Sequence, residues 1–190
     1  MAVDIDKIRA YTDGLVATHA PGGTPPTAPT DAATALATGW VEVGAISEDG
    51  ITEATSQDRT DIFIWQGNAL ARRIPGQFTK TFTLAAAETS LFNLGLQFPG
   101  STVTATTEGA SVEEKPPATD IRGWVLHGKD GADRAQRVYL PKAEITERGD
   151  VVWSSGGITV YEWTLSAYVD DTGVVAYRYY LDDDMAIAGP

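Results

Sequence analysis

The stretch Tyr161-Glu162-Trp163-Thr164-Leu165-Ser166-Ala167-Tyr168-Val169-Asp170-Asp171-Thr172-Gly173-Val174-Val175-Ala176-Tyr177-Arg178-Tyr179-Tyr180-Leu181 decides how this chain is read. Tyr161, Trp163, Leu165, Ala167 and Val169 fall on one face of an extended strand. Val175, Tyr177, Tyr179 and Leu181 fall on one face of a second. A three-residue loop, Asp171-Thr172-Gly173, puts Asp170 opposite Val174 and pairs Val169 with Val175, Ala167 with Tyr177 and Leu165 with Tyr179. Both apolar sets then lie on one side, and Gly173 stands where such a loop needs a left-handed residue. A two-residue loop would set apolar positions against polar ones. The stretch therefore predicts an antiparallel hairpin.

Upstream the same period recurs. Phe78, Lys80, Phe82 and Leu84 share one face, and Gln77, Thr79, Thr81 and Thr83 share the other. Val41 and Val43 alternate with Glu42 and Gly44. Ile62-Phe63-Ile64-Trp65 reads as a short buried run, Trp124-Val125-Leu126 as a strand, and Gly14 to Thr18 as another. One helix is predicted over 85–94, where Leu84, Leu91 and Phe92 make an apolar stripe and Gly95 is the stop. Four prolines between Pro21 and Thr30 exclude both helix and ladder there, and Asp31 to Thr38 reads as a short helix or turn. The expected architecture is mainly β: an antiparallel β-sandwich or barrel with one flanking α-helix and an extended N-terminal arm. The expected organisation is an arm with its Pro-rich loop over 1–38, a sandwich over 39–184 and a tail over 185–190.

Bulk properties narrow the function. The 190 residues suffice for one domain with a real core. Cysteine is absent, which removes disulfides and thiolate metal sites. The net charge of −12 disfavours gripping nucleic acid. No run approaches the roughly 18 apolar residues of a membrane span. The charged start Met1 to Lys7 lacks the apolar run of a signal peptide, so a cytosolic site of synthesis is expected.

No motif for chemistry survives inspection. The two histidines, His19 and His127, have no partner at metal-ligand spacing and are expected to be structural or exposed. Gly123-Trp124-Val125-Leu126-His127-Gly128-Lys129 matches most of a P-loop, but Asp130 replaces its hydroxyl and the inner residues read as strand. The acidic pairs and triplet at Glu48-Asp49, Asp170-Asp171 and Asp182 to Asp184 lack calcium-loop spacing, and the last reads as a solvated end. Of the five tryptophans, Trp40, Trp65, Trp124 and Trp163 read as core or interface, and Trp153 as exposed. No catalytic, cofactor-binding or metal residue is assigned, and no enzyme is expected.

From Gly14 to Gly67 the chain resembles the N-terminal half of the major tail protein family of siphophages, particularly those of actinobacteria. The matching features are a short strand followed by Ala20-Pro21-Gly22-Gly23-Thr24-Pro25-Pro26, then Gly39-Trp40-Val41-Glu42-Val43-Gly44-Ala45-Ile46-Ser47-Glu48-Asp49-Gly50-Ile51, then Asp61-Ile62-Phe63-Ile64-Trp65-Gln66-Gly67. The Thr-rich strand, the Ala-Ala-Glu-Thr helix start and the Tyr- and Trp-rich end continue the likeness. Ser111 to Pro117 has no counterpart and reads as a loop.

The resemblance implies a tail-tube β-sandwich that self-assembles into stacked, hexameric rings around a tape-measure protein, with DNA later passing through. It implies assembly in the host cytoplasm, residence in the virion tail, and tail terminator and tip proteins as further partners. It also implies that Ile46 to Asp61 reaches a neighbouring subunit or ring. The contact candidates are Ser47, Glu48, Asp49, Gly50, Ile51, Thr52, Glu53, Gln57, Asp58 and Arg59. A net-negative lumen is expected from the charge taken together with the resemblance. The alternatives are a monomeric β-sandwich binding module, for carbohydrate, with exposed tryptophans on one sheet face, and a related single-ring tail or head-tail connector protein.

Overall fold

The structure is a computed structural model that describes residues 7–186. Expectations for 1–6 of the arm and 187–190 of the tail lie outside the described residues. Ten strands and one α-helix follow in chain order: β1 (Asp13–Thr18), β2 (Val41–Glu42), β3 (Ile46–Phe63), β4 (Leu70–Ala86), α1 (Leu91–Gln97), β5 (Thr102–Thr106), β6 (Gly109–Glu113), β7 (Arg122–Asp130), β8 (Arg134–Arg148), β9 (Tyr161–Tyr168) and β10 (Tyr177–Leu181). The main sheet runs β2-β1-β7-β8-β9-β4-β3, with β10 also on β8, and every pairing is antiparallel. Residues 13–18, placed in the N-terminal arm by the sequence reading, form β1 within this sheet.

The sheet closes over its own core. In a flat sheet β1 and β4 would stand about 19 Å apart, four strand spacings. Yet Val16 of β1, Leu126 of β7, Leu140 of β8, Trp163 of β9 and Phe82 of β4 all belong to one buried cluster. The run from Val41 to Ile46 makes the closure. Val43 N–H donates to the Val16 carbonyl at 2.9 Å, Ala87 N–H donates to the Ala45 carbonyl at 2.8 Å, and Ile46 pairs with Ala86. Period-two alternation supplies the core face: Phe82 and Leu84 on β4 oppose Leu165 and Trp163 on β9. Trp163 is fully buried, and its indole N–H donates to Gln97 Oε1 at 2.7 Å, tying α1 to the sheet.

The helix starts later than its alanines suggest. Ala85 and Ala86 extend β4 by pairing with Glu162 and Tyr161, so their helix propensity yields to the ladder. Ser90 caps α1 by accepting from Asn93 N–H, and Gly95 lies inside the helix. Asn93 is fully buried, and its Nδ2 donates to the carbonyls of Val43 and Glu88, both at 2.8 Å. The helix is thereby fastened to the closing run.

The terminal hairpin is corrected in its pairing. The turn forms as read: Asp170 N–H donates to the Val174 carbonyl at 2.8 Å, and Gly173 has φ +85°. However, β10 does not pair with β9. Tyr177 lies opposite Tyr139 and Tyr168 opposite Lys142, so β9 and β10 run in line along the same edge of β8. The excursion between them faces Leu140 and Pro141, where proline has no N–H to give a ladder. Asp170 holds the excursion shut by accepting from Thr172 N–H, Val174 N–H and the Tyr177 hydroxyl. These bonds hold its carboxyl at a pKa of about 2.

Smaller readings also change. Ser111 to Glu113, read as loop, belong to β6, which pairs with β5 in a separate two-stranded hairpin. Asp31 to Thr34 form a bend, with Asp31 accepting from Ala33 and Thr34 N–H, and no helix forms from Asp31 to Thr38. Asp182, read as solvated, is 6% exposed and ion-paired with Arg9.

Candidate functional site

The feature that stands apart from the body is the outer part of the β3–β4 hairpin. β9 covers β4 only over Thr81–Ala86. From Lys80 outward, β3 and β4 pair only with each other among the described residues. Two such strands alone are marginal in water. The ribbon is held by cross-strand pairs, as where Arg73 meets Asp61 with two bonds of 2.6 and 3.0 Å. That pairing holds the Asp61 carboxyl below its ordinary pKa and raises the guanidinium.

At its base the ribbon is locked by charge. Glu53 is ion-paired with Lys80 on β4 and Arg178 on β10. Burial pushes the Glu53 carboxyl up, but the two cations outweigh it and hold it below the ordinary value. Halfway out, the register slips between Gln57 and Arg59, where Pro75 and Gly76 face them. A Cβ on Gly76 would come within 3.2 Å of the Asp58 carbonyl oxygen, so glycine permits the close approach.

Ile62-Phe63-Ile64-Trp65, read from the sequence as a buried run, is the exposed tip. Phe63 is 53% and Trp65 95% exposed, and Leu70 and Ile74 nearby are also exposed. A run of apolar residues does not reveal whether its partner lies in the same chain. Clustered apolar side chains on a projection mark an interaction surface.

The ten contact candidates separate into two groups. Ser47 to Gly50 form an irregular stretch between the paired residues Ile46 and Ile51, and Ile51, Thr52 and Glu53 pair with Leu84, Thr83 and Phe82. All of this first group except Thr52 border a groove of about 670 Å³, lined also by Leu15, Phe82, Leu126 and Val138. Gln57, Asp58 and Arg59 sit at the register slip, on the ribbon itself. The tip and the basic residues Arg72 and Arg73 were not among the sequence candidates. The signal that could have found them was the uninterrupted apolar run beside a Gly67 turn.

The remaining motifs are structural. His19 Nε2 accepts from Gly123 N–H at 3.2 Å, while its Nδ1 lies 3.0 Å from the Ala20 carbonyl. His127 Nδ1 accepts from Arg137 Nε at 3.3 Å. Burial and then the Arg137 charge push its pKa down to about 4. Arg137 also donates to the carbonyls of Asp31 and Thr34, and Trp40 Nε1 donates to the Thr27 carbonyl, so the Pro-rich loop is pinned to the sheet. The P-loop-like stretch lies in β7, extended and paired on both sides, which is no cradle for phosphate. Among the described residues, no group of three or more His, Cys, Asp or Glu could hold a metal ion. No helix there is long and apolar enough to cross a membrane. Trp65 sits at the ribbon tip and Trp153, 89% exposed, in the β8–β9 connection, so the two do not form a platform on one sheet face.

Solved structures similar to this chain include two from an extracellular contractile injection system. The PVC sheath/tube terminator matches with a TM-score of 0.45 at 11% identity, covering 92% of this chain and 99% of that one. The PVC sheath-tube complex matches with a TM-score of 0.39 at 13% identity, covering 92% and 93%. No curated protein matches in sequence. A family model described as phage tail tube protein matches residues 1–189, and the chain therefore belongs to the phage tail tube protein family, whose members are structural tail proteins.

Proposed function

We propose that this chain builds the hollow tube of a phage tail by forming rings, six-fold in number, that stack and let DNA pass. The observation that carries the reading is a pair of open edges. β3, β4, β9 and the second half of β8 form a four-stranded surface. Its outer strand β3 has one edge bare, and β8 has no partner opposite β9 over Glu144 to Arg148 among the described residues. Bare edges of this length are avoided in proteins that stay monomeric. Joining β3 of one copy to β8 of the next removes both edges around a ring.

Four strands from each of six copies make a barrel of about 24 strands. At ~4.8 Å spacing and ~40° tilt its backbone diameter is about 48 Å, wide enough for a double helix. The face turned away from the core is rich in hydroxyls. Thr83 and Thr164 Oγ1 lie 3.4 Å apart, and Thr146 Oγ1 and Ser166 Oγ lie 2.8 Å apart. Glu144 and Glu162 share this face. We assign it to the lumen, where short neutral and acidic groups give DNA nothing to hold. Six copies at −12 each carry −72 per ring. The irregular stretch from Ser47 to Gly50 and the ribbon reach neighbours within and between rings. Tape-measure, terminator and tip proteins are the further partners, and assembly takes place in the host cytoplasm.

Negative-stain electron microscopy of the purified protein over a range of concentration and salt tests this. Stacked six-fold rings or hollow tubes are expected. Particles of single-chain size, 20.2 kDa, under every condition would count against it. A tube whose lumen is lined by Lys and Arg would overturn the assignment of the face.

A further inference from the structure

We infer that the apolar tip of the β3–β4 ribbon seats in the groove at the ribbon's base on a second copy of this chain. The inference rests on the tail-tube reading and deepens it by naming the two surfaces that meet between successive rings.

The two surfaces match in polarity and sign. The tip offers Phe63, Ile64, Trp65 and Leu70, all exposed. From Ile62 to Ile74 it carries Arg72 and Arg73 and no acidic residue; Arg73 is ion-paired with Asp61 across the ribbon, so Arg72 supplies the charge beside the tip. The groove has an apolar floor and room for more than one aromatic side chain. Its rim carries Asp13, Glu48 and Asp49, each on the exposed surface, while Glu53 beside them is already paired with Lys80 and Arg178. An arginine-flanked apolar projection fits an acid-rimmed apolar groove, and like-charged partners are refused.

The geometry also selects the source of the occupant. Tip and groove lie at opposite ends of the ribbon, whose ladder from Glu53 to Phe63 holds them apart, so the groove that the tip meets belongs to another copy. From Glu53 to Trp65 the strand extends about 40 Å. Translating a copy along the ribbon by that length brings the tip of one onto the groove of the next. Such a contact joins two different patches and does not close on itself, so it extends a stack.

The chain contains no cysteine, which makes paired substitutions a clean test. Gln66→Cys stands beside Trp65 and leaves that anchor in place, and Thr12→Cys lines the groove at an exposed position. In assembled tubes of the double variant, mild oxidation is expected to produce a ladder of covalent dimers, trimers and longer chains. Mixed tubes of the two single variants are expected to stop at dimers, and each single variant alone to give none. Arg72→Glu is expected to lower the yield of tubes roughly tenfold, and adding Asp49→Arg to restore it. Tubes that form without the ladder, or with no rescue by the charge swap, overturn this inference and leave the tube reading intact. A wild-type protein that never assembles overturns both.

Discussion

Asn93→Ala should unfasten the closure of the sheet. Asn93 is fully buried, and its two Nδ2 bonds hold the carbonyls of Val43 and Glu88. Removing the side chain leaves both carbonyls short of a donor, at roughly 1.5 kcal/mol each. Part of this is returned, because Asn93 Oδ1 is itself buried without a partner, and losing it relieves about 1 kcal/mol. The net cost is about 2 kcal/mol, or about 4–8 °C in Tm for a domain of this size. Urea unfolding at protein concentrations too low for assembly measures it, since association would mask the loss. The m-value should stay constant, because the surface exposed on unfolding is unchanged. Asn93→Asp should cost more, since a carboxylate cannot donate to either carbonyl. A loss below about 0.5 kcal/mol for Asn93→Ala would refute the idea that this side chain holds the closing run to the helix.

Other outcomes can be checked alongside. Trp163→Ala removes a fully buried indole and the bond to Gln97, and should cost about 4 kcal/mol with loss of near-ultraviolet circular dichroism. Carbon-detected NMR titration of Asp170 should find a midpoint near 2, so whatever its loop bonds contribute is intact above the ordinary carboxylate range and lost only as pH falls towards 2. An ordinary midpoint near 3.8 would deny those bonds. His127 is held neutral down to about pH 4, so the unfolded chain binds its proton first and stability falls as pH drops from 6.5 to 4. His127→Gln should flatten that part of the pH–stability curve. Glu53→Gln should weaken the lock on Lys80 and Arg178, and hydrogen exchange should quicken in the ribbon beyond Thr55 while β7 stays protected.

Local physics was legible in the residues alone. Period-two alternation located β4 and its apolar face at Phe82 and Leu84, because side chains on a strand alternate whatever the strand pairs with. Asp170 and Gly173 specified their turn through side-chain acceptors and a left-handed glycine, both properties of adjacent residues. Membership of a tube-building family was legible too, through the order and spacing of the Pro-rich loop, the Trp40 segment and the Trp65 run.

Partnership was decided only in three dimensions. The turn at Asp170 is equally compatible with a hairpin and with an excursion. The choice shows only in the register on β8, where β9 pairs up to Lys142 and β10 resumes at Tyr139, on the far side of Pro141. Ala85 and Ala86 prefer a helix until β9 offers them hydrogen bonds. Ile62 to Trp65 have the composition of a core, yet their place at the far end of an unsupported ribbon leaves Trp65 bare. Composition sets how strongly a side chain avoids water. Only the tertiary arrangement sets whether its own chain, or another copy, supplies the surface that covers it.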